Sequence, residues 1–157
     1  MKQYLKLHIF SEKEKQKVIE QLNKQFGIEK LDGILVKRGA DRIFLFKGDL
    51  SVDEVNQLDY ARVNLERVGI YFAKYVNDEI RLSIEGVYLL RKQIKKNIFE
   101  LNDEQVELWL QGQDLFIEHN ENGFVVVKYK NDFLGCGKAS REKIGNFVPK
   151  NRRLKIK

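Results

Sequence analysis

The sequence predicts an α+β fold, a small α/β unit over residues 1–76 followed by a small β-barrel with flanking helices over residues 77–157. Two observations carry this. The N-terminal part alternates one long amphipathic stretch with short β-rich runs, and the last third breaks into four short apolar runs divided by turn residues. Helical patterns stand before those runs, an order that suits a closed or nearly closed barrel plugged by helices. There is no internal repeat and no low-complexity segment.

The elements follow in order. Ser11-Glu-Lys-Glu14 is a capping box, in which serine and glutamate each satisfy the other's backbone N–H. It opens a helix from Glu12 to Phe26, with Val18, Leu22 and Phe26 on one stripe and Gly27 to end it. Gly33–Lys37 and Arg42–Lys47 are short β runs split by Gly39-Ala-Asp41, which predicts a hairpin. Ser51-Val-Asp-Glu54 is a second capping box for a short helix to about Gln57 or Leu58. Val68–Val76 is a strand, Asn77-Asp78 a turn, and Ile80, Leu82 and Ile84 alternate with polar residues as a further strand. The boundary between the two units is placed at that turn.

Val87, Leu90, Ile94 and Ile98 recur at helical spacing, which predicts a helix carrying Arg91, Lys92, Lys95 and Lys96 on its outer face. Two like-charged i, i+4 pairs on that face oppose it. Asn102-Asp103 caps a short helix, Glu104–Leu110, that Gly112 terminates. Leu115–Glu118, Gly123–Lys130, Phe133–Lys138 and Arg153–Ile156 read as strands.

Charge is concentrated at one end. The net charge is +6, yet Lys128 to Lys157 hold ten basic side chains against two acidic, leaving the preceding 127 residues with 19 basic and 21 acidic. Such asymmetry is the footprint of a surface that meets phosphates. No apolar run approaches the roughly 18 residues of a membrane span, and MKQYLKLHIFSEKEK is interrupted too often to be a secretory signal. A cytoplasmic protein without membrane contact is expected. The one cysteine permits no internal disulfide, and with only His8 and His119 beside it no structural zinc site is expected.

Catalytic motifs find no support. GCGKAS approaches the phosphate-binding loop GxxxxGK[ST], but Asp132 stands where the first glycine belongs and Ala139 replaces the hydroxyl residue. Cys136 has neither histidine near it in sequence and reads as a small buried thiol rather than a nucleophile. His119, in the polar loop HNENG, reads as a surface residue. The expectation is a protein that is not an enzyme and carries no cofactor or metal.

Gly135-Cys-Gly-Lys138, then Lys143-Ile-Gly-Asn146, then Pro149-Lys-Asn-Arg-Arg153 resemble the end of the C-terminal PUA-like domain of the NOL/NOP/Sun (Fmu-type) RNA cytosine-5 methyltransferases. Lys96-Asn-Ile98, Leu110-x-Gly112-x-x-Leu115 and Gly123-Phe-Val-Val-Val127 look like earlier parts of the same domain, so the resemblance covers about Ile80 to Ile156. The glycine-rich S-adenosylmethionine loop and the Pro-Cys nucleophile of those enzymes are absent from this sequence.

The resemblance therefore implies a stand-alone, non-catalytic RNA-binding protein of ribosome biogenesis, rRNA processing or RNA modification, whose fold is a PUA-like barrel after an α/β domain. Structured RNA, ribosomal or transfer, is the expected partner, held through a basic C-terminal face of Lys128, Lys130, Lys138, Arg141, Lys143, Lys150, Arg152 and Arg153. Phe133 and Phe147 are the nearest aromatic candidates for base stacking. An adaptor that docks on an RNA methyltransferase or a pre-ribosomal protein is the alternative.

Overall fold

The computed structural model describes residues 7–47 and 69–155. Among them are two sheets and three α-helices, so the fold is α+β. The capping box expected at Ser51 lies outside the described residues, as does the helix expected after it.

The first sheet is an antiparallel meander in the order β1 (Leu7–Ile9), β2 (Ile34–Arg38), β3 (Arg42–Phe46), β4 (Ile70–Val76), β5 (Glu79–Leu82). Helix α1 (Glu12–Phe26) connects β1 to β2. Its capping box at Ser11 and Glu14 is present, and Gly27 ends it in the left-handed conformation that glycine adopts without strain. The stripe Val18, Leu22, Phe26 is fully buried. These side chains pack with Leu35, Ile43, Phe72 and Ile80 of the sheet.

The turn Asn77-Asp78 joins β4 to β5, with Tyr75 opposite Ile80, so the first sheet runs past residue 77. Gln25 covers the free edge of β5. Its amide nitrogen donates to the Ile80 carbonyl at 2.9 Å and its amide oxygen accepts from the Ile80 N–H at 2.8 Å.

Helix α2 spans Ile84–Leu90, capped by Ser83, which corrects the helix expected through Val87–Ile98. It starts earlier because the Ser83 hydroxyl accepts from Gly86 N–H at 2.9 Å. It ends before the lysines, relieving the like-charge i, i+4 pairs, and Gln93 instead ties the following turn to the backbone of Glu29 and Lys30. Asn97 then takes a positive φ, and Ile98 belongs to a strand.

The second sheet has the order β6 (Ile98–Glu100), β7 (Gly123–Tyr129), β8 (Asp132–Ser140), β9 (Lys143–Asn146). Pairing is parallel for β6–β7 and antiparallel for the rest. Helix α3 (Asp103–Leu110) lies between β6 and β7 in sequence, with an Asn102–Gln105 capping box. Neither sheet closes into the barrel that the element order suggests. The reason is strand supply. Leu115–Glu118 contributes one bridge, Leu115 to Ile144, instead of a strand, and the chain at Arg153–Lys155 is irregular rather than β. Leu154 N–H donates to the carbonyl of Leu110, so the chain end is tied to α3 and not to a sheet edge.

Alternation along β7 divides the interior. Phe124 and Val126 face the core shared with α1, α2 and the first sheet, whereas Val125 and Val127 face a second core built around Trp109, Leu115 and Ile144. Among the described residues, no helix is long and apolar enough to cross a membrane, and no group of three His, Cys, Asp or Glu side chains could hold a metal.

Candidate RNA-binding surface

The segment Gly135-Cys-Gly-Lys138 lies within β8, and its glycines are explained by what packs on them. A Cβ on Gly137 would stand 2.7 Å from the Trp109 ring and 2.8 Å from Ile144 Cγ2. Gly135, at φ +114°, lies under Ile84 of α2. The Ile84 side chain fills the space at Gly135, and the Trp109 ring, Ile144 and the Gly145 carbonyl of the paired strand, at 3.0 Å, fill it at Gly137. Cys136 between them is buried beside Leu82, and burial pushes its thiol up to about 12. At neutral pH it is a thiol and not a thiolate, as the sequence suggests.

Lys138 follows on the face of β8 that meets the first sheet. Its ammonium lies 4.8 Å from the centre of the Phe124 ring, which packs on Phe147 at 6.2 Å. The guanidinium of Arg81, on β5, lies 4.3 Å over Phe147. Two adjacent rings are thus flanked by two cations, in the order Lys138, Phe124, Phe147, Arg81, each cation over a ring. Beside them Arg152 forms an ion pair with Glu85 of α2. A cleft of about 110 Å³ opens here, bounded by the first sheet, α2 and the segment Phe147–Arg152.

Asn146 sets the course of that segment. Its carboxamide donates to the carbonyls of Trp109 and Gln113 at 2.8 and 3.0 Å and accepts from Val148 N–H at 2.7 Å, while its own N–H donates to Asp114. The chain leaving β9 is thereby bound to the end of α3. Pro149 then precedes a single 3-10 turn, Lys150–Arg152.

The eight basic residues named from the sequence do not form one cluster. Lys128 and Lys130 stand at the β7–β8 turn, over the rings of Phe133 and Tyr129 at 5.3 and 5.1 Å. The Tyr129 hydroxyl beside Lys130 raises its ammonium above the ordinary 10.5 and keeps it charged. Arg141 and Lys143 stand at the β8–β9 turn, the far end of a strand whose first and last Cα atoms are about 26 Å apart at roughly 3.3 Å per residue. Lys143 pairs with Asp114 at 3.5 Å. Arg152 lines the cleft, Lys138 stands over the Phe124 ring that packs on Phe147, and Lys150 lies in the turn between the cleft residues Pro149 and Arg152. Arg153 stays exposed but lies along the chain: its Nε donates to the Val148 carbonyl at 2.9 Å, and its side chain lies over Gly112, where any Cβ would collide with it. Arg141 and Lys150 carry no ion pair among the described residues.

Sequence reasoning missed Arg81. It reads as the polar position of an alternating strand, and only the packing of the first sheet against Phe147 brings it to the basic end. His119 is half-buried rather than free. Its Nδ1 accepts from Glu121 N–H and its Nε2 donates to the Lys143 carbonyl, both at 3.1 Å, which assigns the proton to Nε2 and fixes the loop.

Residues 96–154 match the family described as the methyltransferase RsmF PUA domain. The chain is 25% identical over 141 residues to the ribosomal RNA small subunit methyltransferase F of Vibrio cholerae, covering 89% of this chain and 28% of that protein. It is 27% identical over 127 residues to the protein of the same name from Shewanella oneidensis, covering 80% of this chain and 25% of that one. This chain therefore spans about a quarter of the length of the curated relatives it matches. Similarity over 89% of the chain also reaches well into the N-terminal part, for which the motifs in the sequence named no relative. Over residues 96–154 the chain is thus similar to the PUA domain of the RsmF methyltransferases, the relationship implied by its glycine, asparagine and Pro-Lys motifs.

Proposed function

We propose that this chain is a non-catalytic RNA-binding unit that holds structured RNA, ribosomal or transfer, in ribosome biogenesis or RNA modification. The observation that carries the reading is the meeting of Lys138 and Arg81 with the rings of Phe124 and Phe147 beside Arg152, on a chain whose relatives are named as ribosomal RNA methyltransferases. Cations there contact phosphates, which gives affinity without sequence reading, and the exposed Phe147 ring adds stacking to unpaired bases. In this reading residues 77–157 contact the RNA and residues 1–76 support them, with β5 common to both through the first sheet. A methyltransferase or pre-ribosomal proteins are proposed as its associates, in the cytoplasm.

Crosslinking in cells followed by sequencing of the bound RNA tests this. Ribosomal or transfer RNA fragments are expected, and recovery of protein partners with no RNA above background would overturn the proposal. The adaptor reading has one observation in its favour, the 79% exposure of Phe116 beside a groove of about 630 Å³ along α3, and that second outcome would support it.

A further inference from the structure

Resting on that reading, we propose that the cleft between Arg81 and Arg152 takes a single unpaired nucleobase of the bound RNA. Its size sets the class of ligand. Pockets for drug-sized molecules run to about 300–1,000 Å³, and a cleft of about 110 Å³ accommodates a fragment of the size of one base ring.

Its walls set the chemistry. Leu134, Val148 and Pro149 give an apolar lining, and the stacked pair of Arg81 on Phe147 gives a planar one. Unstacked bases are held on aromatic rings and on guanidinium planes. Phe147 keeps 37% of its surface exposed although it joins the aromatic cluster, and it lines the cleft. The rim carries Glu85 and Arg152, an acceptor next to a donor fork, a combination that pairs with the mixed donor and acceptor edge of a base. Two arginines against one carboxylate leave the rim positive, which favours a base attached to phosphate.

This position separates the two tasks of the surface. Lys138 and Lys150 lie beside the cleft, where they hold backbone phosphates, and the cleft distinguishes an RNA with an extruded base from a continuous duplex. Cys136 forms part of the floor as a neutral thiol and takes no chemical part.

The test compares binding of a blunt RNA duplex with the same duplex carrying one bulged nucleotide, for the wild-type chain and for Phe147→Leu and Arg81→Leu, with thermal unfolding to confirm that each variant folds. Stacking of one base predicts about a 5- to 100-fold preference of the wild type for the bulged RNA. In either variant that preference falls toward one. Equal, salt-dependent binding of both RNAs by the wild type overturns the base site and leaves the RNA-binding reading standing, whereas no binding of either RNA overturns that reading itself. Nucleoside monophosphates that compete as strongly as the bulged RNA overturn the assignment to RNA in favour of a free nucleotide.

Discussion

The carboxamide of Gln25 bonds both backbone groups of Ile80, donating to its carbonyl at 2.9 Å and accepting from its N–H at 2.8 Å. A side chain of α1 thus stands in for the missing neighbour of an edge strand. Gln25 is itself buried, and its amide oxygen also accepts from Gln21 at 2.8 Å, so the contact is shielded from water. Covering Ile80 in this way removes one pair of unpaired backbone groups from an edge that another chain could join.

Replacing Gln25 by Leu leaves the N–H and the carbonyl of Ile80 without partners. Each orphaned group costs about 1–3 kcal/mol, so the urea midpoint is expected to fall substantially at unchanged slope. An unchanged midpoint would show that the edge finds water as readily as it finds the side chain.

Gly137 of β8 and Gly145 of β9 should respond differently to alanine. Gly137→Ala forces a methyl group against Trp109 and Ile144 and is expected to destabilise by about 1–3 kcal/mol. Gly145→Ala meets Lys138 only at ordinary contact distance, 3.6 Å and beyond, and is expected to be neutral or slightly stabilising through the unfolded state. Chemical denaturation of the pair checks this, and equal losses would contradict the packing described at Trp109.

Burial holds the Cys136 thiol near 12, so the folded protein should resist thiol reagents at pH 8. Modification is expected only at the rate of unfolding and should speed up in denaturant. Reaction as fast as that of a free cysteine would show β8 to be open at this point.

Glu14 tests the N-terminal cap. The Ser11 N–H first, and then His8 at 2.7 Å, hold its carboxyl below the ordinary 4.5. A depressed value in the folded state stabilises the fold above that ordinary value and is lost as pH falls through the folded one. The difference in urea midpoint between wild type and Glu14→Ala should accordingly be largest near neutrality and shrink in acid. A gap that persists in acid would assign the effect to packing.

The parts of this fold legible in the sequence are those whose signals are local. Ser11, Glu14 and Gly27 delimit α1 through caps, and the β2–β3 and β4–β5 hairpins follow from Gly39 and from Asn77-Asp78. Ile98 misleads because its helical spacing from Ile94 competes with a tertiary contact, its parallel pairing with Val126, that no local pattern contains. The same holds at the site. The basic residues and Phe147 are visible in the sequence, but the partner of Phe147 is Arg81, 66 positions earlier, and Arg153 proves to brace the Val148 carbonyl. Asn146 stands in a recognisable motif, yet its task of binding the end of α3 to the Phe147 segment appears only in three dimensions.

The central claim, that the surface around Lys138 and Lys150 holds RNA phosphates, is tested most directly by the salt dependence of binding to one structured RNA. Lys138→Gln and Lys150→Gln are the informative variants, because Arg152 is paired with Glu85 and Arg153 is a brace. The account predicts that log affinity falls linearly with log salt, and that each variant weakens binding and lowers the slope by about 1. A flat salt response in the wild type, or slopes unchanged in both variants, would contradict it.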